Sequence, residues 1–229
     1  MNSDIVIATG WYSDGMSTNA NTSKRCYDAD WLNEWWEFHD EQMFSSSAKS
    51  YSLYVSKCKI FPGAGARTGF ANFSIANLPN AKYHTRHDWW SSLLSGAMYA
   101  YNNDLHLVYI EQDCFVWGLD KAIEYALIED FPLYYGFGEY SFAPGWAENS
   151  FMFVKREFLP TLISLIINSQ ADRAVRPILE IIFHELFGDY FKAWPFGYGR
   201  KEVTNWKQDI FYKQQLTDIE IDKFMELKR

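Results

Sequence analysis

The sequence predicts an α/β fold in which one mostly parallel sheet is flanked by helices on both faces. Three observations support this prediction. Residues 4–8 form a short β-branched run that ends in Thr-Gly and feeds a loop rich in Gly, Ser, Asn and Asp. Helical patterns at 30–44 and 88–101 then alternate with strand-like runs at 51–56 and 105–110. No internal repeat or low-complexity linker divides the chain, so a single domain is expected.

The C-terminal half continues the same alternation. Glycines and prolines between residues 136 and 150 predict a mobile loop, and a similar composition predicts a loop at 61–78. The remaining expected elements are helices at 117–128, 158–168, 177–187 and 217–227 and strands at 133–136 and 150–154.

Composition and charge narrow the classes of function. The chain has 229 residues, 48% of them hydrophobic, which suffices for a well-buried core. Its net charge is -8 and it contains no basic run, so long-range repulsion argues against nucleic-acid binding. A small phosphorylated ligand is compatible with this charge if a metal ion supplies positive charge.

The N-terminus and the cysteines indicate an intracellular protein. No run of about 18 apolar residues predicts a membrane span. The first ten residues have an acid before the apolar run and no basic flank, which is typical of a buried strand and not of a signal peptide. Cys26, Cys58 and Cys114 are odd in number and widely spaced, which favours a reducing compartment and a cytoplasmic location.

The strongest local signal is an acidic pair at the carboxyl end of a buried strand. The run 107–110 is followed directly by Glu111-Gln112-Asp113. Side chains two apart in an extended chain point the same way, so both carboxylates are expected to face one point. Such carboxylates repel unless one is protonated or a cation lies between them, and Mg²⁺ or Mn²⁺ takes oxygen ligands of this kind. The alternative, that Glu111 caps a turn and Asp113 caps the next helix, stays open.

The order of these elements resembles the GT-A nucleotide-sugar glycosyltransferases, a Rossmann-like fold. The resemblance rests on a helix rich in small residues at 91–100, the strand at 104–110 and the acid-x-acid element, with residues 5–9 as the first nucleotide-binding strand. It extends over about residues 4–155 in element order, and the segment 194–200 is also similar to some glycosyltransferase-like sequences. The first acid is Glu where the D-x-D motif of the family has Asp.

The resemblance implies a metal-dependent glycosyltransferase acting on hexosyl or pentosyl groups. Residues 4–115 would bind the nucleotide-sugar donor, and residues 116–229 would form the acceptor side of the single domain. Mn²⁺ or Mg²⁺ would bridge the donor diphosphate while the sugar moves to a hydroxyl of a glycan or another acceptor. Asp113 is the expected direct metal ligand, and Glu111 is expected to bind through water or to contact the ribose.

Further residues are expected to contact the nucleotide sugar. Arg200 lies in a Gly-rich loop and its guanidinium matches phosphate oxygens, although a surface arginine beside Lys201 explains the sequence equally well. Arg86 precedes a helix start, which suits an anion, but an ion pair with Asp88 is an equal alternative. The full set of expected donor contacts is Thr9, Trp11, Tyr12, Arg86, Asp88, Glu111 and Arg200.

The catalytic base is expected to be an acid in the loop 136–150. Glu148 follows an aromatic residue able to stack on a sugar and is preferred over Glu139. Two other functions remain open: a non-catalytic nucleotide- or carbohydrate-binding module on the same scaffold, and a glycoside hydrolase that uses paired acids.

Overall fold

The computed structural model describes residues 4–11, 22–28, 30–43, 50–57, 74–77, 87–140, 143–169 and 186–228. In chain order its strands are β1 (Asp4–Trp11), β2 (Ser50–Lys57), β3 (Ser74–Asn77), β4 (His106–Ile110), β5 (Cys114–Trp117), β6 (Leu133–Tyr140), β7 (Ala143–Val154), β8 (Phe191–Ala193) and β9 (Phe211–Gln214). Its helices are α1 (Trp31–Gln42), α2 (His87–Asn102), α3 (Leu119–Ile128), α4 (Leu159–Ser169) and α5 (Asp218–Leu227), with short 3-10 turns at Lys24–Tyr27 and Arg156–Phe158.

Seven of the strands form one mixed sheet in the order β3-β2-β1-β4-β7-β6-β8. β1 pairs in parallel with β2 and β4, β2 with β3 and β6 with β8, whereas β7 runs antiparallel to both β4 and β6. The carboxyl ends of β2, β1 and β4 therefore meet at one edge, where open α/β sheets bind ligands. The expected fold class, a mostly parallel sheet flanked by helices, is confirmed.

The sheet separates two hydrophobic cores, and β1 contributes to both. Ile5 and Ile7 belong to the core shared with α1, α3 and α5, and Val6 and Ala8 belong to the core shared with α2 and α4. Successive side chains of a strand point to opposite faces, so a strand covered on both sides reads as an uninterrupted apolar run. This burial is the physical reason why β1 could be recognised from sequence.

A second, smaller sheet pairs β5 with β9 in antiparallel orientation. It packs on α1 through aromatic rings: Phe38 stacks on Phe115 with centroids 4.1 Å apart, and Trp31 stacks on the same ring at 5.3 Å. Phe224 of α5 meets Phe115 edge to face at 5.4 Å. These packed rings fix the small sheet against α1 and α5.

Several sequence expectations about element type were wrong. The expected loop at 136–150 is largely the hairpin of β6 and β7, whose pairing is interrupted by irregularities at Tyr135/Gly136 and Gly138/Glu139. Glycines mark such bulges in a strand, so a Gly-rich stretch need not be a loop. The region 61–78 contains β3, and the helix expected from 117 begins only at Leu119 because 114–117 is β5. Of the helix expected at 177–187, the described part is confined to residues 186–187.

Among the described residues, no helix combines the length and the apolar character needed to cross a lipid bilayer.

The burial of His39 makes the stability of the protein depend on pH. Its ring is buried, Nδ1–H donates to the Trp35 carbonyl oxygen at 2.8 Å, and Nε2 accepts from the Val116 main-chain N–H at 3.3 Å. Burial lowers its pKa to about 3, from an ordinary value of 6.5, and the positive charge of Lys228 acts in the same direction. Between pH 6.5 and about 3, His39 is therefore protonated in the unfolded chain and neutral in the folded chain.

We expect the His39 contribution to stability to be complete above pH 6.5 and to fall as the pH drops toward 3. The limiting slope for one proton is about 1.4 kcal/mol per pH unit. Urea unfolding of the wild type and of His39→Gln at pH 7.5, 6 and 5 measures it. The variant should be less stable at pH 7.5 and should lose less stability on acidification, and equal pH slopes in the two proteins would contradict the assignment.

Candidate functional site

The acidic pair lies in a tight turn that joins the large sheet to the small one. β4 ends at Ile110 and β5 begins at Cys114, whose main-chain N–H donates to the Glu111 carbonyl oxygen at 3.1 Å. The prediction that residues 111–113 are extended was therefore wrong, and side chains in a turn do not alternate as in a strand. The alternative that Asp113 caps the next helix is also excluded, because the residue before α3 is Gly118.

Helix α1 holds the main chain of this turn. The Trp31 indole N–H donates to the Gln112 carbonyl oxygen at 2.6 Å. The Trp35 indole N–H lies 3.2 Å from the Glu111 carbonyl oxygen and 3.1 Å from that of Cys114. Gln112, the middle residue of the motif, is itself buried and its side-chain amide donates to the Cys26 carbonyl oxygen at 2.9 Å. Its two acidic neighbours remain half-buried.

A residue of the C-terminal strand β9 bonds to the side chain of Glu111. Gln214 lies opposite Cys114 in the ladder of the small sheet, and its side-chain amide donates to Glu111 Oε2. The Arg200 guanidinium Nε–H in turn donates to Gln214 Oε1 at 3.4 Å. One amide thus connects a carboxylate of the turn to the arginine of the Gly-rich loop.

Asp113 lies in the field of two cations from the same C-terminal region. Burial raises the pKa of its carboxyl to about 6, while the positive charges of Arg200 and Lys213 and a main-chain hydrogen bond act in the opposite direction. The positive charges of the protein therefore compensate the negative charge of ionised Asp113 only in part. Glu111 thus bonds to the C-terminal segment through Gln214, and Asp113 interacts electrostatically with Arg200 and Lys213 of the same segment.

Lys213 fixes the turn that follows β9. Its side chain is only 3% exposed, and Nζ donates to the carbonyl oxygens of Gln214 and Gln215 and lies 3.6 Å from Glu220 Oε2. Gln215 adopts a left-handed backbone conformation with φ of 58°. Glu220 also closes the capping box with Thr217 at the start of α5. These contacts determine the position from which Gln214 reaches Glu111.

A polar cavity opens beside Arg200. Its volume is about 840 Å³, and it is bordered by Arg200, Glu202, Trp206, Lys213, Thr217 and Lys223. Trp206 is half-buried, with the Lys223 ammonium 5.2 Å from its ring centroid. Arg200 therefore borders this cavity and also bonds to the Gln214 amide that contacts Glu111.

The carboxyl end of β1 lies in close contact with α2. Ser92 Oγ and Tyr109 OH are 2.8 Å apart in a buried hydrogen bond. A Cβ on Gly10 would lie 2.6 Å from Ser92 Oγ, so only glycine leaves this space. Ser92 belongs to the small-residue segment 91–100 of α2, and its short side chain lets the helix lie this close to Gly10.

The structure locates the other expected donor contacts only in part. Thr9 is buried at the end of β1, where its hydroxyl donates to the Gly10 carbonyl oxygen at 3.3 Å. Trp11 is the last residue of β1 and Asp88 the second residue of α2, but both side chains lie outside the described residues. Tyr12 and Arg86 lie outside them altogether.

Glu148 is in a strand and not in a loop. It belongs to β7, opposite Gly136, and its side chain lies outside the described residues, as does that of Glu139 in β6. The error arose from the bulged, Gly-rich hairpin described above. Two residues further along β7, the Ser150 carbonyl oxygen accepts from the Glu111 main-chain N–H at 2.9 Å. The main chain of Glu148 is therefore close in sequence to a residue that contacts the acidic turn.

Sequence reasoning missed the residues that organise the site. Gln214 and Lys213 lie in the run Ile210-Phe211-Tyr212-Lys213-Gln214, whose apolar and aromatic start is typical of a strand. That signal would have predicted β9 but not its pairing with β5. The described residues contain no group of three or more His, Cys, Asp or Glu side chains able to hold a metal ion. A cation here would need further ligands from water or substrate.

The comparisons with known proteins agree on the fold. No protein-family model and no curated protein matches the chain. The galactosyltransferase LgtC, solved with donor and acceptor sugar analogues, superposes with a TM-score of 0.59 over 98% of this chain and 95% of its own, at 11% identity. The fold is that of the GT-A glycosyltransferases. A glycosyltransferase involved in glycosylation of the major capsid of PBCV-1 gives a TM-score of 0.57 over 98% of this chain and 99% of its own, at 10% identity.

The GT-A fold is also similar to that of nucleotidyl-transferring enzymes. The inositol-1-phosphate CTP transferase from T. maritima matches with a TM-score of 0.52 over 100% of this chain and 97% of its own, at 9% identity. Fold likeness at such identities does not determine the reaction.

Proposed function

We propose that this protein is a metal-dependent glycosyltransferase that moves a sugar from a nucleotide-sugar donor to a hydroxyl acceptor. The observation that carries the proposal is the turn at the carboxyl end of β4, where Glu111 and Asp113 approach the cationic C-terminal segment. Two carboxylates alone would repel a diphosphate. Cationic side chains that bound a diphosphate by themselves would not need two carboxylates beside them. Their combination suits a divalent ion bound to a diphosphate.

The residues present fit an Mg²⁺ or Mn²⁺ ion. Asp113 is proposed as the direct ligand, because its ionised form is destabilised by burial and a cation would offset that cost. Glu111 is proposed as a ligand directly or through water, with the Gln214 amide orienting its carboxylate. When bound, such an ion supplies positive charge that stabilises a departing nucleoside diphosphate.

Arg200 is proposed to bind the diphosphate. Its Nε is engaged with Gln214, which orients the planar guanidinium, and its side chain is exposed at the cavity. A fork of N–H donors matches phosphate oxygens in a way that an ammonium group does not. The proposed nucleoside contacts remain Thr9, Trp11, Tyr12, Arg86 and Asp88, at or near the carboxyl end of β1 and the start of α2.

The acceptor is proposed to enter through the cavity beside Arg200. Carboxylate, amide and hydroxyl groups around a partly exposed aromatic ring suit a sugar, which presents hydroxyls at its rim and C–H groups on its face. A sugar in this cavity would approach the diphosphate end of a donor held by Arg200. Glu148 is kept as the proposed base that removes the acceptor proton.

Release of nucleoside diphosphate from UDP-, GDP- and CDP-sugars without acceptor, with and without Mn²⁺, tests this function. We expect one donor class to be hydrolysed slowly in a Mn²⁺-dependent manner. Arg200→Gln should lower this rate by about 100-fold, the usual effect of removing one donor that stabilises developing charge. Lys201→Gln, which changes the neighbouring exposed cation, is the matched control and should leave the rate unchanged.

Two results would count against the proposal. A protein that binds nucleotides but hydrolyses no donor would be the non-catalytic module. Hydrolysis that is indifferent to Mn²⁺ and to Arg200→Gln would remove the site from the reaction.

A further inference from the structure

We infer that helix α1 is a positioning element for the metal-binding turn, acting through Trp31, Trp35 and His39. This inference rests on the proposed function, because it concerns how the carboxylates of Glu111 and Asp113 are held for a cation. The three residues are spaced by four, so they lie along one face of the helix. All three are buried, and each bonds to the main chain of the segment 111–116.

The bonds follow the chain in order. Trp31 donates to the carbonyl oxygen of Gln112, and Trp35 to those of Glu111 and Cys114. His39 accepts from the main-chain N–H of Val116. One helix face thus bonds to the turn and then to the small-sheet strand that leaves it.

The turn needs this support because it lies between two sheets. The β4 ladder ends with Ile110 paired to Phe151, and the β5 ladder begins with Cys114 paired to Gln214. Main-chain bonds from the turn to other segments include Glu111 N–H to the Ser150 carbonyl oxygen and Leu216 N–H to the Asp113 carbonyl oxygen, the latter long at 3.4 Å. The indole N–H groups of Trp31 and Trp35 donate to carbonyl oxygens of the turn in buried hydrogen bonds, and the loss of a donor from such a bond costs free energy.

The indole rings are themselves immobilised. Trp31 stacks on Phe115, and Trp35 packs on His39 with centroids 4.4 Å apart. A donor fixed in this way holds a carbonyl oxygen at a defined point and so limits how the Cα atoms of the two acids can move. Metal affinity should therefore depend on the indole N–H groups even though they bond to main-chain carbonyl oxygens of the turn and not to its carboxylates.

Trp36 provides a matched control on the same helix. It is half-buried and packs against Tyr51 with centroids 6.5 Å apart. Replacing Trp36 removes an indole N–H group from α1. It leaves the hydrogen bonds of Trp31, Trp35 and His39 to the segment 111–116 in place.

The test replaces single tryptophans with 3-benzothienylalanine, which keeps the ring shape but has sulfur in place of the indole N–H. The proteins carrying this residue at position 31, 35 or 36 are compared with wild type by near-UV circular dichroism and thermal unfolding. Mn²⁺ affinity is measured on the folded proteins from the electron paramagnetic resonance signal of free Mn²⁺. A role in packing alone would leave Mn²⁺ affinity unchanged in a protein that is still folded.

We expect Mn²⁺ affinity to fall about tenfold or more on replacement at position 35, as when outer contacts of metal ligands are removed, and to be unaffected at position 36. If replacement at 35 prevents folding, the protein altered at 31 supplies the same comparison. Wild-type affinity in a folded protein altered at 31 or 35 would overturn the inference and leave the proposed function standing. A wild-type protein that binds no Mn²⁺ would instead refute the metal site, and the inference with it.

Discussion

Asp113→Asn is expected to abolish donor hydrolysis while making the protein more stable above pH 6. The carboxylate is proposed to bind the metal directly, and an amide is a much weaker ligand for a hard cation. We expect a loss of at least about 10³-fold in rate, comparable to removing a principal charge-stabilising group.

The gain in stability follows from the raised pKa of Asp113. Its ordinary value is 3.8 and its value in the folded protein is about 6, so between these values the folded chain binds a proton that the unfolded chain has lost. The stabilising contribution of the protonated carboxyl is complete below pH 3.8 and disappears as the pH rises through 6. At pH 7.5 the ionised group costs about 1–3 kcal/mol, which asparagine removes.

Urea unfolding at pH 5 and pH 7.5, together with the hydrolysis assay, measures both effects. The advantage of the variant over wild type should be larger at pH 7.5 than at pH 5. Asp130→Asn, at an exposed site, is the control and should change neither property. A variant that remains active, or that is less stable than wild type at pH 7.5, would contradict the account of Asp113.

Gly118→Ala is expected to give the largest loss of stability. Gly118 joins β5 to α3 with φ of 68°, a conformation that costs other residues free energy. A Cβ at this position would lie 2.2 Å from the main-chain carbonyl oxygen of Asp209, which cannot move without displacing the start of β9. Strain and overlap together should cost about 2–5 kcal/mol.

Gly118→Ala should also lower the affinity for Mn²⁺, because displacement of β9 would move Gln214 and Lys213, which belong to this strand. Thermal unfolding and Mn²⁺ affinity of the folded fraction test this prediction. Asp209→Ala keeps the carbonyl group and removes an exposed carboxylate 3.8 Å from Lys121 Nζ, so it should be close to neutral. If Gly118→Ala unfolds at the wild-type temperature, the close contact between Gly118 and the Asp209 main chain is incorrect.

The centre of the large sheet could be predicted from sequence because β1 and β4 are buried on both faces. β1 and β4 are continuous apolar runs, and the helical spacing of α1 and α2 is equally direct. The position of the acidic turn at the carboxyl end of β4 followed from the same run. These signals are local, and each can be read within one segment of the chain.

The surroundings of the acidic turn could not be predicted because they depend on contacts between distant segments. The pairing of Cys114 with Gln214 joins the two halves of the chain, and no local pattern encodes that register. Trp31 and Trp35 read as core residues of an amphipathic helix, and they are buried. Their second role, as donors to the turn, depends on where the helix docks.

Locating bound Mn²⁺ by anomalous X-ray scattering tests the central claim most directly. Crystals grown with Mn²⁺ and the nucleoside diphosphate of the active donor class should show a peak within about 2.5 Å of an Asp113 carboxylate oxygen and of a diphosphate oxygen. Glu111 should lie next to the ion, bound directly or through one water. Nucleoside diphosphate bound without a Mn²⁺ peak at this turn, or with the ion held elsewhere, would contradict the account.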